Sequence, residues 1–279
     1  MRLQTYIDRS IALLQRAEKI ALRMSDKGFY LAFSGGKDSQ VLYHLAQEAG
    51  VRFEAHYTLT TLDPPELVRF IRTRYPDVIV DRPPLTFLQL CEKKKMLPMR
   101  HSRFCCAELK ESNGAGMVTL TGVRRAESVK RAKRNEVEIL GHKFTGTIDE
   151  FERREAVEHS CIGGKDKLAV SPIIDWPTNT VWSYIRVRNI EYCELYDQGW
   201  HRLGCPFCPM ASLSDIRRME RRYPKYRAAF IRLIHRMRQQ GWANDFAHKT
   251  DEQLFDMWIS RKRFAVAAAE QDEPKLFEP

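Results

Sequence analysis

Two stretches of the 279-residue chain carry residue types and spacings that can do chemistry. The first is Ser34-Gly-Gly-Lys-Asp-Ser39. An apolar run at 29–33 precedes it, and Val41, Leu42, Leu45 and Ala46 follow at helical spacing. A glycine pair between a strand and a helix lets the backbone approach a ligand with no Cβ in the way. The successive N–H groups there, with those of the helix N-terminus, form an anion cradle. Ser34 and Ser39 add hydroxyls, and Lys37 adds a compact positive charge. Asp38 either holds the loop by an internal hydrogen bond or helps to place Mg²⁺. The pattern is not G-x-x-x-x-G-K-[ST], so this is not a Walker loop.

The second stretch is split. Arg103-Phe-Cys-Cys-Ala-Glu supplies the adjacent pair Cys105 and Cys106, and Leu203-Gly-Cys-Pro-Phe-Cys-Pro supplies Cys205 and Cys208. Four thiolates suit Zn²⁺ or a [4Fe–4S] cluster. Adjacent cysteines wrap one tetrahedral ion awkwardly, whereas they can reach two different irons of a larger cluster. Cys91, Cys161 and Cys193 stand singly and read as small buried hydrophobes.

These side chains need a scaffold, and the pattern of apolar residues describes one. Ile7, Ile11, Leu14, Ala17 and Ala21 predict an amphipathic helix over 4–25. Strands are expected at 29–33, 52–57, 78–80, 117–121 and 168–171. Helices are expected after the loop, at Pro65–Arg74 and at 178–188, the last capped by Thr178 or Asn179. Such alternation implies right-handed βαβ units: an α/β fold with a parallel twisted sheet and helices on both faces. Residues 124–167 are polar and read as a loop with short helices. After Cys208 the pattern is helical at Leu213–Arg222, Pro224–Gln239 and 250–263, with a capping box from Thr250 to Gln253. The tail from about 268 reads as frayed. The resulting division is an N-terminal helix (1–27), a core (28–212) and a helical C-terminal appendage (213–279).

Composition is that of an ordinary globular chain, with 43% hydrophobic and 29% charged residues, which excludes a disordered or fibrous protein. No apolar run is long enough to span a bilayer, so no membrane role is expected. The N-terminus lacks the apolar segment of a secretory signal and carries Asp8 and Glu18, pointing to the cytoplasm, where clustered thiols more often bind metal. The formal charge of +10 favours an anionic partner. Residues 130–134 and 217–222 are the basic stretches able to meet nucleic-acid phosphates.

The Ser34–Ser39 segment resembles the PP-loop of the ATP-pyrophosphatase superfamily, with its adenine nucleotide α-hydrolase-like fold. The cysteine set narrows the resemblance to the phosphoadenosine phosphosulfate reductase-like branch. Thr121-Gly-Val-Arg-Arg-Ala-Glu-Ser128 is similar to a nucleotide-lining segment of that branch. Pro172-Ile-Ile-Asp-Trp and Leu195-Tyr-Asp-Gln-Gly199 resemble two more of its motifs, and Thr61-Leu-Asp-Pro-Pro-Glu66 stands where a loop near the substrate is found. The resemblance implies that Ser34, Gly35, Gly36, Lys37, Asp38, Ser39, Thr61, Gly122, Arg124 and Arg125 bind nucleotide. It also implies that Lys37, Asp38 and Arg124 are catalytic and that Cys105, Cys106, Cys205 and Cys208 hold a [4Fe–4S] cluster. ATP with Mg²⁺ is the implied substrate, cleaved between its α and β phosphates.

A sulfonucleotide reductase of this branch carries a nucleophilic thiol in an E-C-G-x-H segment, and no cysteine follows Cys208 here. The expectation is therefore an ATP pyrophosphatase that adenylates an acceptor for sulfur transfer, similar to the components of DNA phosphorothioation systems. Its expected partners are DNA, a sulfur donor such as a cysteine desulfurase, and other modification subunits. The alternatives are a reductase releasing sulfite from adenylyl or phosphoadenylyl sulfate, with Cys161 as its best substitute thiol, and a non-enzymatic nucleotide or redox sensor.

Overall fold

Strand β1 (Phe29–Ala32) is a buried interior strand of a seven-stranded sheet. The other strands are β2 (Phe53–Thr58), β3 (Ile79–Asp81), β4 (Thr119–Leu120), β5 (Val137–Ile139), β6 (Phe144–Gly146) and β7 (Leu168–Val170). The computed structural model describes residues 2–110, 113–139, 144–158 and 167–261, with backbone alone at 155–158. Cys161 and the tail from 262 lie outside the described residues.

The strand order is β3-β2-β1-β4-β7-β5-β6. The first five run parallel. β5 pairs antiparallel with both β7 and β6. The sheet is thus mixed, and its hairpin lies in the polar stretch expected to be loop and short helix. Two strands of three residues, each with one or two charged or polar neighbours facing out, leave too brief an alternation to read. The sheet carries helices on both faces, the α/β arrangement expected.

The chain divides into two units. The first joins Met1–Pro83 to Glu108–Leu203. It contains the sheet and α1 (Leu3–Met24), α2 (Lys37–Glu48) and α3 (Pro65–Arg74). The second joins Pro84–Ala107 to Gly204–Pro279 and contains α4 (Phe87–Lys94) and all but the end of α5 (Phe104–Leu109). In the first unit follow α6 (Val129–Ala132), α7 (Ile148–Glu158) and α8 (Thr178–Val187). The second ends with α9 (Leu213–Arg222), α10 (Pro224–Gln239) and α11 (Asp251–Ser260). The sequence division placed 84–107 and 204–212 in the core. In the structure both group with the helical C-terminal region.

Local chemistry explains the helices. α1 buries Ile7, Leu14, Ala17 and Ala21 as one stripe. α3 begins on Pro65, whose missing N–H costs nothing at a first turn. α8 is capped by Pro177, not by Thr178 or Asn179, because the extended backbone that starts it falls one residue earlier. α11 has the expected capping box between Thr250 and Gln253. Among the described residues, no helix is long and apolar enough to cross a membrane.

Candidate functional site

The chain leaves β1, turns through residues 33–36 and enters α2 at Lys37. β1 runs between β2 on one side and β4 on the other. The connections from β1 and β4 therefore diverge at the carboxyl ends of the strands, the place where open α/β sheets bind ligands. Gly35 adopts φ +68°, and a Cβ there would lie 2.7 Å from Ile71 and 2.8 Å from Leu67 of α3. Only glycine meets both the backbone and the packing requirement. From the end of β4, Gly122 packs so closely that a Cβ would sit 3.1 Å from the Asp38 carbonyl.

Internal bonds shape the loop. Ser34 N–H donates to Ser39 Oγ at 3.1 Å, the two serine hydroxyls are 3.1 Å apart, and Ser39 Oγ donates to the Gly36 carbonyl at 2.9 Å. The Lys37 N–H donates to the Tyr196 hydroxyl at 2.9 Å. No hydrogen bond runs from the Gly35, Gly36 or Asp38 N–H to another described residue. A helix N-terminus with such groups attracts an anion.

Asp38 is the hub of the charges. Its Oδ2 lies 3.0 Å from Lys37 Nζ and its Oδ1 2.7 Å from Arg124 Nε. Arg124 is 2% exposed, and its Nη1 donates to the Trp176 carbonyl at 2.9 Å and to Thr178 Oγ1 at 3.3 Å. Lys37 is also buried. Arg125 points its guanidinium elsewhere, to Asp175, the Arg134 carbonyl and Asn135. Thr61 occupies, at φ +65°, a tight turn in which Asp63 accepts from Thr60 N–H and Oγ1 at 2.7 Å each. The structure thus gathers residues 34–39, Gly122 and Arg124, and turns the Arg125 guanidinium toward the β5 hairpin segment.

The four cysteines of the split set all lie in the second unit. The Cys205–Cys208 turn is closed by Cys208 N–H donating to the Cys205 carbonyl at 3.2 Å. Phe207 inside that turn has φ +58° and is 2% exposed, with its ring against Phe230 and Phe255. Its N–H donates to Met219 Sδ at 3.1 Å. The turn is pegged into the helical core by one aromatic ring. The Cys105 thiol is pushed well above the usual thiol range, first by its hydrogen bond to Cys106, then by burial, then by the charges of Cys106, Cys205 and Cys208. Thiols that oppose one another's ionisation in this way lie close together. Among the described residues, no three His, Cys, Asp or Glu side chains enclose a single metal ion. A four-iron cube differs in holding each thiolate on a separate iron.

The profile of the phosphoadenosine phosphosulfate reductase domain matches residues 28–211, taking in the loop, Arg124 and all four cysteines. The chain belongs to this family. The family member is 25% identical to an uncharacterised protein of Methanocaldococcus jannaschii over 277 residues, covering 92% of this chain and 60% of that protein. It is 28% identical to an adenosine 5′-phosphosulfate reductase of Oceanobacillus iheyensis over 151 residues, covering 51% of this chain and 54% of the reductase. The chain thus spans little more than half the length of these two relatives. A U34-tRNA thiolase of Methanococcus maripaludis, solved with its [4Fe–4S] cluster, aligns over 95% of this chain and 83% of its own with TM-score 0.42 and 12% identity.

In this reductase-domain protein Tyr196 is a site residue that sequence reasoning missed. Its hydroxyl accepts from the Lys37 N–H at the glycine loop, and its ring lies 5.9 Å from Lys37 Nζ and edge-on to Trp182. Burial pushes the phenol upward, so it remains a neutral hydrogen-bonding group. The Leu-Tyr-Asp motif was the available signal, but no local spacing names its partner across 159 positions. Trp176 is a core residue, 2% exposed, with its indole N–H on Ser10 Oγ at 3.0 Å.

Proposed function

We propose that the protein is an ATP pyrophosphatase that adenylates an acceptor for sulfur transfer, with a nucleic-acid backbone phosphate, in DNA, as the acceptor. The observation that carries this reading is the loop at the strand-order switch, with Gly35, Gly36 and Asp38 N–H groups around it and Lys37 beside it. The β and γ phosphates of MgATP occupy the cradle. An acceptor oxygen attacks the α phosphorus, the bond to the bridging oxygen breaks, and pyrophosphate leaves with its negative charge offset by Lys37. A sulfur nucleophile then attacks the acceptor phosphorus and AMP departs. Arg124, tied to three protein groups, supports Asp38 and through it Lys37. That support, rather than direct phosphate contact, is its contribution.

Cys105, Cys106, Cys205 and Cys208 would hold a [4Fe–4S] cluster, and adjacency of the first two favours a cube over a lone ion. Bound there, the cluster supplies an iron–sulfur centre able to hold sulfur. The sulfur source is a donor of the cysteine desulfurase class, whose persulfide S–S bond is cleaved by a dithiol reductant, itself oxidised to a disulfide, to give the sulfide that attacks. The two basic stretches differ as nucleic-acid surfaces. Arg131 pairs with Glu127 and Arg134 with Glu138, so two of the four cations of the first are already neutralised. α9 buries Ile216 and Met219 and exposes Arg217 and Arg221 one turn apart. The phosphate-binding role therefore goes to α9.

A second reading, a reductase releasing sulfite from a sulfonucleotide, is favoured by the reductase relatives. It needs a reactive thiol outside the quartet. Cys91 is buried and its thiol is pushed up to about 12, which makes it a poor nucleophile at neutral pH. Cys193 is also buried. Anaerobic incubation with MgATP separates the readings. Pyrophosphate and AMP formation, lowered at least ~100-fold by Lys37→Ala, supports the first. Sulfite release from adenylyl sulfate without ATP turnover replaces it with the second.

A further inference from the structure

We infer that Arg100 and Arg261 are the counter-ions of the thiol quartet, two guanidiniums that hold the turn after Cys208 and offset the negative charge of a cluster bound there. The inference rests on the iron–sulfur reading above.

The two arginines come from distant parts of the second unit. Arg100 lies between α4 and α5, and Arg261 is the residue that ends α11 in a left-handed conformation, φ +59°. Both reach the same short turn. Arg100 Nε donates to the Pro209 carbonyl at 3.1 Å, and Arg261 Nη2 donates to the Ala211 carbonyl. The Ala211 N–H in turn donates to the Cys208 carbonyl at 2.9 Å. Two cationic heads therefore converge on the three residues that follow Cys208.

Neither arginine forms an ion pair with a carboxylate among the described residues. Arg261 Nε is buried and has no hydrogen-bond partner there. Burial and the charge of Arg100 lower the Arg261 pKa, and the charge of Cys208 acts in the opposite direction. A partly buried guanidinium beside a like charge, with a buried N–H left over, is costly unless negative charge stands nearby. The quartet is the source at hand. Four thiolates around a [4Fe–4S]²⁺ cube leave a net negative charge, and a cation beside the cube favours its more negative, reduced form.

The test uses the full chain purified anaerobically as wild type, Arg100→Gln, Arg261→Gln and Arg261→Lys. Iron and acid-labile sulfide are measured per chain, followed by an optical redox titration of the cluster and the rate of iron loss to a chelator. Wild type is expected to carry iron and sulfide. Each Gln variant is expected to titrate at a more negative potential than wild type or to lose iron faster. Arg261→Lys, which keeps the charge and loses the fork, is expected to stay near wild type in both. A purely structural clamp on the Ala211 carbonyl would be damaged by Lys and Gln alike. Equal behaviour of the Lys and Gln variants, or Gln variants identical to wild type, overturns the inference. Wild type with neither iron nor sulfide overturns the cluster reading itself.

Discussion

The two units balance charge to different degrees. The first holds 27 Lys and Arg against 25 Asp and Glu, the second 19 against 11. In the first, cations meet carboxylates of the same unit: Lys37 and Arg124 on Asp38, and Arg188 on Glu48 at 2.8 Å. In the second, α9 shows arginines to solvent, Arg100 and Arg261 crowd one turn, and the cysteine sulfurs oppose one another's ionisation. The lesson is that a sheet domain can be electrically complete before its substrate arrives. The helical unit also pairs Arg227, Arg236 and Arg238 with its own Asp256, Glu92 and Asp251, and still keeps a surplus of cations.

The largest test of that contrast is metal removal. An iron chelator under anaerobic conditions is expected to erase amide-exchange protection in α9, α10 and α11 and to leave β1, β2 and α2 protected. Equal loss in both units would break the comparison. Next in size is the peg of the cysteine turn. Phe207→Ala is expected to cost about 3–5 kcal/mol, read as a shift in the denaturant midpoint of the second unit. A shift below 1 kcal/mol would show that Phe230 and Phe255 hold the core without it.

A smaller effect belongs to the first unit. Tyr30, Tyr43, Tyr75, Tyr184 and Tyr196 all lie there with phenols raised chiefly by burial, Tyr30 to about 12. An unfolded phenol ionises near 10. Between pH 10 and 12 the unfolded chain therefore releases protons that the folded unit keeps, and stability falls as pH rises. Thermal melts followed in the first unit should shift downward over that window. Melts that do not move would mean those phenols already ionise in place.

The smallest expected effect sharpens the surface assignment. Replacing Arg217 and Arg221 together by Gln should weaken binding to a random-sequence DNA duplex and reduce the salt slope of the affinity by about 2. The same pair of changes at Arg131 and Arg134, which already pair with Glu127 and Glu138, should alter it less. The reverse ranking would move the phosphate contact to the first unit.

The glycine turn between β1 and α2 was legible because it is local: two glycines, a lysine and two serines sit between an apolar strand and an amphipathic helix. The parallel strands and most helices were legible for the same reason. The β5–β6 hairpin was not, since three-residue strands carry almost no periodicity. Neither was the partnership of Tyr196 with Lys37, nor the grouping of Pro84–Ala107 with Gly204–Pro279, because both depend on long-range packing. The cysteine spacing suggested that two distant stretches belong together. It could not reveal that a phenylalanine in a left-handed turn anchors one of them.

Both outermost strands of the sheet, β3 and β6, are only three residues long. A neighbouring molecule that tried to extend the sheet would find few backbone groups to pair with and would gain little from doing so. Crowding the protein should therefore not drive it into strand-swapped or fibrillar aggregates through either border.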